Sequence, residues 1–336
     1  MLPPVNFVVP YPDEVIAQLR NADPDLTARS SGDHAWMLAA GGPAAWCYLT
    51  YRRLAMSGYG GIGLSNAIDP EAINVVHSGH LNELWQDRRA FVVSAQADHA
   101  QRFGAQFHIV QNRRQAAANS VWIHHWPQPG LIARTSPITR VRRVAYIGLT
   151  YNGNLALDEA AWRARFAAQG FEFHAPEMQQ WHDFSQFDAC VAIRSFDRRT
   201  YRSKPASKLF NAWHAGVPLI AGHDSAYCQV GHPGEDYLVA SSMPEVLDWL
   251  LRLDRDGEFR DGLVANGRRR AAEFGNAEIV RLWIAALEGP IAKRFELWQS
   301  RPGFEAVRHS VLAALDRGWA GIKGCVRKLI APASRP

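Results

Sequence analysis

Short apolar runs alternate with helical stretches in this chain, and they do so twice. Val5–Val9, Ile62–Leu64, Ile73–Val76, Phe91–Ser94 and Phe107–Val110 are rich in β-branched or aromatic residues, the composition of buried strands. Residues 44–57 carry helical spacing between them. Such alternation implies a parallel sheet with helices on its faces. The rhythm breaks at residues 124–143, where His-His-Trp-Pro-Gln-Pro-Gly-Leu precedes Ser136-Pro137 and Arg140, Arg142 and Arg143. Prolines and a glycine at that density mark an interdomain connector. The pattern then restarts with strand Val144–Leu149, a turn at Thr150–Asn154, helix Leu157–Gln169 capped by Gly170, and strands Phe171–His174 and Ala189–Ile193. Farther on come strand Tyr237–Ala240, a Ser242–Glu245 capping box, and helices at 258–273 and 276–287. At 336 residues the chain has room for two ordinary domains. The expectation is an α/β protein of two doubly wound, Rossmann-like units: 1–125, a connector at 126–143, a second unit at 144–290, and a helical tail at 291–336.

Residues 203–222 join chemistry to that pattern. Ala206, Leu209, Phe210 and Trp213 fall on one helix face. Ser203 is placed to cap the helix, with Pro205 in its first turn. Gly216 suits the left-handed residue that ends a helix, Pro218 blocks continuation, and Val217–Ala221 is an apolar strand. The expected first turn holds Lys204 and Lys208, with Arg198, Arg199 and Arg202 just before it. Helix N-termini favour acidic residues because of their partial positive charge. Two lysines there, beside unpaired backbone N–H groups such as that of Ser207, make either a phosphate or diphosphate site or a solvated basic face. Gly148, followed by Thr150, sits at the carboxyl end of the second unit's first strand, where open α/β sheets bind ligands. Arg194 ends the next strand and would face the same crevice.

In the first unit, His77 and His80 follow strand Ile73–Val76. Histidines at a strand's carboxyl end can act as a general base or orient a hydroxyl; they can also bind a metal or be structural, and no third ligand is evident. Asp98-His99 and His124-His125 are further candidates for the cleft. Gly58-Tyr-Gly-Gly-Ile-Gly63 matches a dinucleotide motif by letter. It follows a helix and precedes a strand, the reverse of what that motif needs.

Lysine and arginine number 37 against 32 acidic residues, a net charge of +5. This balance suits anionic substrates or an anionic membrane surface and falls short of a nucleic-acid binder's basic stripe. Four cysteines lie far apart, which argues against a disulfide framework or a zinc knuckle. The absence of a signal segment or an apolar run near membrane-spanning length leads to an expectation of a cytoplasmic protein. From Phe304 to Ile330 the spacing is helical, and the charges from residue 317 onward are all basic. That tail can lie on an anionic membrane surface at the inner face of the plasma membrane, or pack back on the body.

Residues 203–290 resemble the carboxy-terminal, donor-binding half of GT-B glycosyltransferases, especially the large retaining family 4. Asn211-Ala-Trp-His-Ala-Gly-Val-Pro-Leu-Ile is similar to that family's Glu-Ala-Met-Ala-x-Gly-x-Pro-Val-Ile. Glu235-Asp-Tyr-Leu-Val, the Pro244–Leu253 helix and the Asn266–Phe274 stretch follow in the family's order. The resemblance implies a GT-B fold and sugar transfer from a nucleotide-sugar donor to a glycan or lipid-linked acceptor, as in bacterial-type surface polysaccharide synthesis. The nucleotide sugar would be a co-substrate, with no further cofactor and, without a DxD-like cluster, no metal. The family's glutamate pair falls at Ser203 and Asn211, so Asn211 would hydrogen-bond a donor hydroxyl and Lys204 and Lys208 would neutralise the diphosphate. Ser225 and Ala226 lie in the loop where the family places glycines near the phosphates. A GT-B-fold nucleotide-sugar epimerase and a non-catalytic scaffold of the same fold are the alternatives.

Overall fold

The computed structural model describes residues 3–30, 42–81, 90–99, 101–102, 104–151 and 153–301, together with 303, 307, 311, 314 and 315. The first lobe is built on a six-stranded parallel sheet of β1 (Val5–Val8), β2 (Ile62–Ser65), β3 (Ile73–His77), β4 (Phe91–Ala95), β5 (Phe107–Val110) and β6 (Ser120–Trp122). Their spatial order is β2-β1-β3-β4-β5-β6, with Val5 paired to both Ile62 and Ile73. Both faces are covered: Phe7, Val75, Phe91 and Val93 enter the main core, and Val8, Val76 and Val92 enter a smaller one opposite. Burial on both faces is why these strands read as continuous apolar runs.

The second lobe holds five parallel strands, β7 (Arg143–Ala145), β8 (Glu172–His174), β9 (Ala189–Ala192), β10 (Leu219–Ala221) and β11 (Leu238–Val239), in the order β11-β10-β9-β7-β8. Cys190, Leu219 and Ala221 pack on one face; Val144, Val191 and Ile220 pack on the other, against Trp162 and Phe166. Strand order reverses between β1 and β3 in the first sheet and between β7 and β9 in the second. The carboxyl ends at such reversals open the crevice in which doubly wound sheets bind ligands, and here both open toward the gap between the lobes.

The connector is fastened to both lobes. Trp126 Nε1–H donates to Thr50 Oγ1 at 2.9 Å, and the Gly130 N–H donates to Asp25 at 2.8 Å. On the other side, Asp188 accepts from the Arg142 and Arg143 N–H groups and pairs with Arg134 at 3.1 Å.

The chain then crosses back. A continuous helical stretch runs Asn276–Ala286, Leu287–Ile291, Ala292–Gln299. Its apolar face of Ile279, Trp283, Leu287, Ile291 and Phe295 lies in the first lobe's core, with Trp283 edge-on to Phe7 at 6.1 Å. The boundary expected at residue 290 thus falls inside this stretch, and the residues from 276 complete the first lobe. The expected tail helix lies mostly outside the described residues. Among the described residues no helix is long and apolar enough to cross a membrane.

Candidate active site

The interlobe gap holds a cleft of about 370 Å³. Its second-lobe wall is built by the loop after β7 and by helix α1 (Ser207–Ala215). That helix forms because Leu209, Phe210 and Trp213 bury against the sheet, each worth roughly 1.5–3 kcal/mol. It ends at Gly216 in the left-handed conformation, φ 68°. Its start differs from the sequence expectation. Ser203 and Pro205 precede the helix, Ala206 is the capping position, and no side chain caps it. Residues 201–204 form a turn instead, with the Lys204 N–H bonded to the Tyr201 carbonyl. Lys204 therefore lies before the helix and Lys208 within its first turn.

Lys208 is the centre of the cleft's charge. It sits over the Tyr146 ring at 5.2 Å, and its Nζ passes 2.8 Å from where a Cβ on Gly148 would stand. Gly148 has φ 148°, a conformation that favours glycine, and a Cβ there would also have to push the Lys208 ammonium aside. No carboxylate lies within ion-pair distance of Lys208 among the described residues. Burial, reinforced by Arg194 and Lys204, pushes its ammonium down to about 7. The group is thus poised to gain charge when an anion arrives. The Ser207 and Lys208 N–H groups, at the open end of the helix, add dipole stabilisation to the same point. Arg194 is fixed by Asp224 at 2.9 Å and by Asn154 at 2.8 Å, so it adds field rather than a free hand. Lys204 is paired across the cleft with Asp98.

Other expected site residues sit differently. Asn211 lines the cleft, and its Oδ1 accepts the Gln128 N–H of the connector at 2.9 Å. Ser225 is buried and accepts from Asn112 of the first lobe at 2.8 Å, so it ties the lobes together. Ala226 is in the apolar core. Thr150 and His80 are not among the cleft-lining residues.

His77 does line the cleft. Burial, with His99 and His80 nearby, pushes it down to about 3. Its Nδ1 accepts from the Gly79 N–H at 3.3 Å, which leaves the proton on Nε2. His77 is therefore set to donate a hydrogen bond, which suits the hydroxyl-orienting alternative of the sequence reading rather than the general-base one. His125 has the opposite polarity. Its Nδ1 lies 2.7 Å from the Trp126 carbonyl and so donates there, leaving Nε2 as an acceptor. Its ring stands edge-on to Trp46 at 4.5 Å. Gly42, Ala45 and Trp46 complete that wall at the start of a second helical segment, Ala44–Tyr48 continuing as Leu49–Met56. Among the described residues no group of three or more His, Cys, Asp or Glu is arranged to hold a metal.

Two facing Rossmann-like lobes with a cationic cleft between them define the GT-B fold, and the chain has that fold. It is similar to the Anabaena protein HepE, solved with UDP and glucose, at a TM-score of 0.51 and 8% identity over 85% of this chain and 100% of that one. It is also similar to S. aureus TarM, solved as a point mutant with fondaparinux, alpha-GlcNAc-glycerol and UDP, at a TM-score of 0.50 and 12% identity over 73% of this chain. The match spans 59% of TarM's length. No protein-family model matches the sequence, and no curated protein matches it.

Proposed function

We propose that this chain is a glycosyltransferase that moves a sugar from a nucleotide-sugar donor to a hydroxyl of a glycan or lipid-linked acceptor. The single observation that carries the reading is Lys208, a cleft-lining cation with no ion-pair partner among the described residues, in a helix's first turn beside Gly148, whose φ of 148° favours glycine. In the transfer, the acceptor oxygen bonds to the anomeric carbon and the bond from that carbon to the phosphate oxygen breaks. The electron pair stays on the departing phosphate, whose oxygen takes up the acceptor hydroxyl's proton. Lys208, Lys204 and the Ser207 and Lys208 N–H groups meet that charge, a preorganised electrostatic stabilisation. His125 Nε2 accepts a hydrogen bond from a sugar or acceptor hydroxyl, and His77 Nε2–H donates one. Bound UDP in the HepE and TarM structures supports the same class of ligand.

An acceptor carried at a membrane suits the exposed apolar residues Val307, Val311 and Leu315, which recur at four-residue steps on helical backbone. In this reading the protein works in the cytoplasm, at the inner face of the membrane.

The test is thermal stabilisation by UDP-, GDP-, dTDP- and CMP-sugars. A donor at about 100 times its Kd stabilises by about 2.7 kcal/mol. A melting temperature unmoved by every donor would remove the reading.

A further inference from the structure

The lobes are pinned together at the cleft by an ion pair that stands where an anionic ligand belongs. Lys204 Nζ in the second lobe bonds Asp98 Oδ2 in the first, and both residues line the cleft. The surrounding chain is held in place for this contact. The Lys204 carbonyl accepts from Asn112 at 3.1 Å. Ala97 and Tyr201, at φ 50° and 42°, are the two non-glycine residues in the left-handed region among the described residues. One flanks each end of the pair. Side chains with a Cβ adopt that region only when their surroundings enforce it.

We propose that Asp98 is an internal stand-in for a donor phosphate: its carboxylate holds the anion position on Lys204 in the unliganded protein, and the incoming diphosphate displaces it. This rests on reading the cleft as the donor site. Lys204 lines the same cleft as Lys208 and Ser207, and its charge acts directly on Lys208, so the two ammonium groups form one anion-attracting wall for a diphosphate to bridge. The pair is also exchangeable. The side chains of Lys204 and Asp98 are 28% and 43% exposed, and ion pairs at such exposure are weak. Besides Lys204, the described residues give Asp98 its own backbone N–H and, 3.8 Å from its other oxygen, His99 Nε2. Arg194, by contrast, is locked to the buried Asp224 and cannot be released this way. Burial works to raise the Asp98 carboxyl and the Lys204 ammonium outweighs it, holding it below the usual carboxylate range.

The consequence is selection by valence. A ligand with one anionic group can sit on Lys208 but does not replace the Asp98 contact; a diphosphate engages both lysines at once. The displaced carboxylate then faces the cleft from the acceptor lobe.

Calorimetric titration with inorganic pyrophosphate tests this on the wild type, Asp98→Asn, Lys204→Ala and the double variant. Asp98→Asn should bind pyrophosphate more tightly, by about 1.4- to 5-fold, the span an exposed ion pair commands. Asp98→Ala, which carries no hydrogen-bonding group, should show the same gain. In the Lys204→Ala background the gain should vanish. Equal or weaker binding by both Asp98 variants would overturn the proposal. So would a gain that persists without Lys204, which would reflect only the loss of a negative charge from the cleft. Nucleoside diphosphates titrated into the wild type give a separate readout. If none binds more tightly than pyrophosphate, the sugar-nucleotide reading fails while the stand-in survives; a flat pyrophosphate series fails the stand-in and leaves that reading intact.

Discussion

Replacing Lys208 with methionine should make the unliganded protein more stable, not less. Methionine keeps the unbranched stem over Tyr146 and removes the ammonium. The group falls from an ordinary 10.5 to about 7, chiefly through burial. That gap of about 3.5 pH units, at ~1.4 kcal/mol each, bounds the penalty near 5 kcal/mol. Lys208 keeps partial solvent contact at the cleft wall, and screening reduces the figure to roughly 1–3 kcal/mol. For a chain of this length that is a rise of roughly 2–6 °C in melting temperature. The sign with pH follows from proton linkage. Between about 7 and 10.5 the unfolded chain binds a proton at this lysine that the folded protein does not, so wild-type stability rises with pH across that window. The advantage of Lys208→Met is therefore full below pH 7 and shrinks toward pH 9. Scanning calorimetry of both proteins at pH 6 and pH 9 measures it. A variant that melts below wild type at pH 6, or a gap unchanged between the two pH values, would refute the reasoning. The same variant should lose the stabilisation that pyrophosphate gives the wild type.

Gly148→Ala should weaken pyrophosphate binding about tenfold or more, because the new methyl would displace Lys208 Nζ from its 2.8 Å approach; titration calorimetry reads this, and unchanged affinity would show that the close approach is dispensable. Gly130→Ala should destabilise by about 2 kcal/mol or more, since φ is 68° and the Cβ would stand 2.8 Å from the Asp25 carbonyl; denaturant unfolding measures it, and a neutral variant would show the connector to be loosely held. Asp254 is held down to about 2, chiefly by its hydrogen bond from Arg140, with the Val141 N–H and Arg142 adding to it. Because its folded value lies below the ordinary one, its stabilising contribution is present above pH 4 and is lost as pH falls through 2. Asp254→Asn should therefore lower stability by about 1–2 kcal/mol at neutral pH, and the difference from wild type should close in acid; a gap that persists at pH 2 would count against the ion pair.

The strands were legible because sheets buried on both faces demand continuous apolar runs, and Phe91–Ala95 or Ala189–Ala192 admit little else. Helix α1 was legible from its apolar face, but its start was not. Ser203 and Pro205 have the local chemistry of a helix opening, yet the Lys204 contacts to Asp98 and Asn112 hold that segment as a loop. Tertiary contacts overrode a local signal whose strength is only about 1 kcal/mol. The placement of Ser225 was hidden for the same reason, since its partner Asn112 is 113 residues away. The helical stretch from Asn276 shows which face is apolar, and nothing in its periodicity says which lobe covers that face. Lys208 and Gly148 were findable because a cation in a helix's first turn and a glycine at a strand's carboxyl end each break a local preference. The distinct roles of His77 and His125 depend on which ring nitrogen meets the backbone, and residue type alone carries no record of that.

A crystal structure of the protein with a bound nucleoside diphosphate tests the cleft assignment most directly. The expected result places phosphate oxygens at about 2.7–3.2 Å from Lys208 Nζ and from the Ser207 or Lys208 backbone N–H. A diphosphate seated away from the β7 and β9 strand ends, with Lys208 still lying over Tyr146 and touching no phosphate, would contradict it.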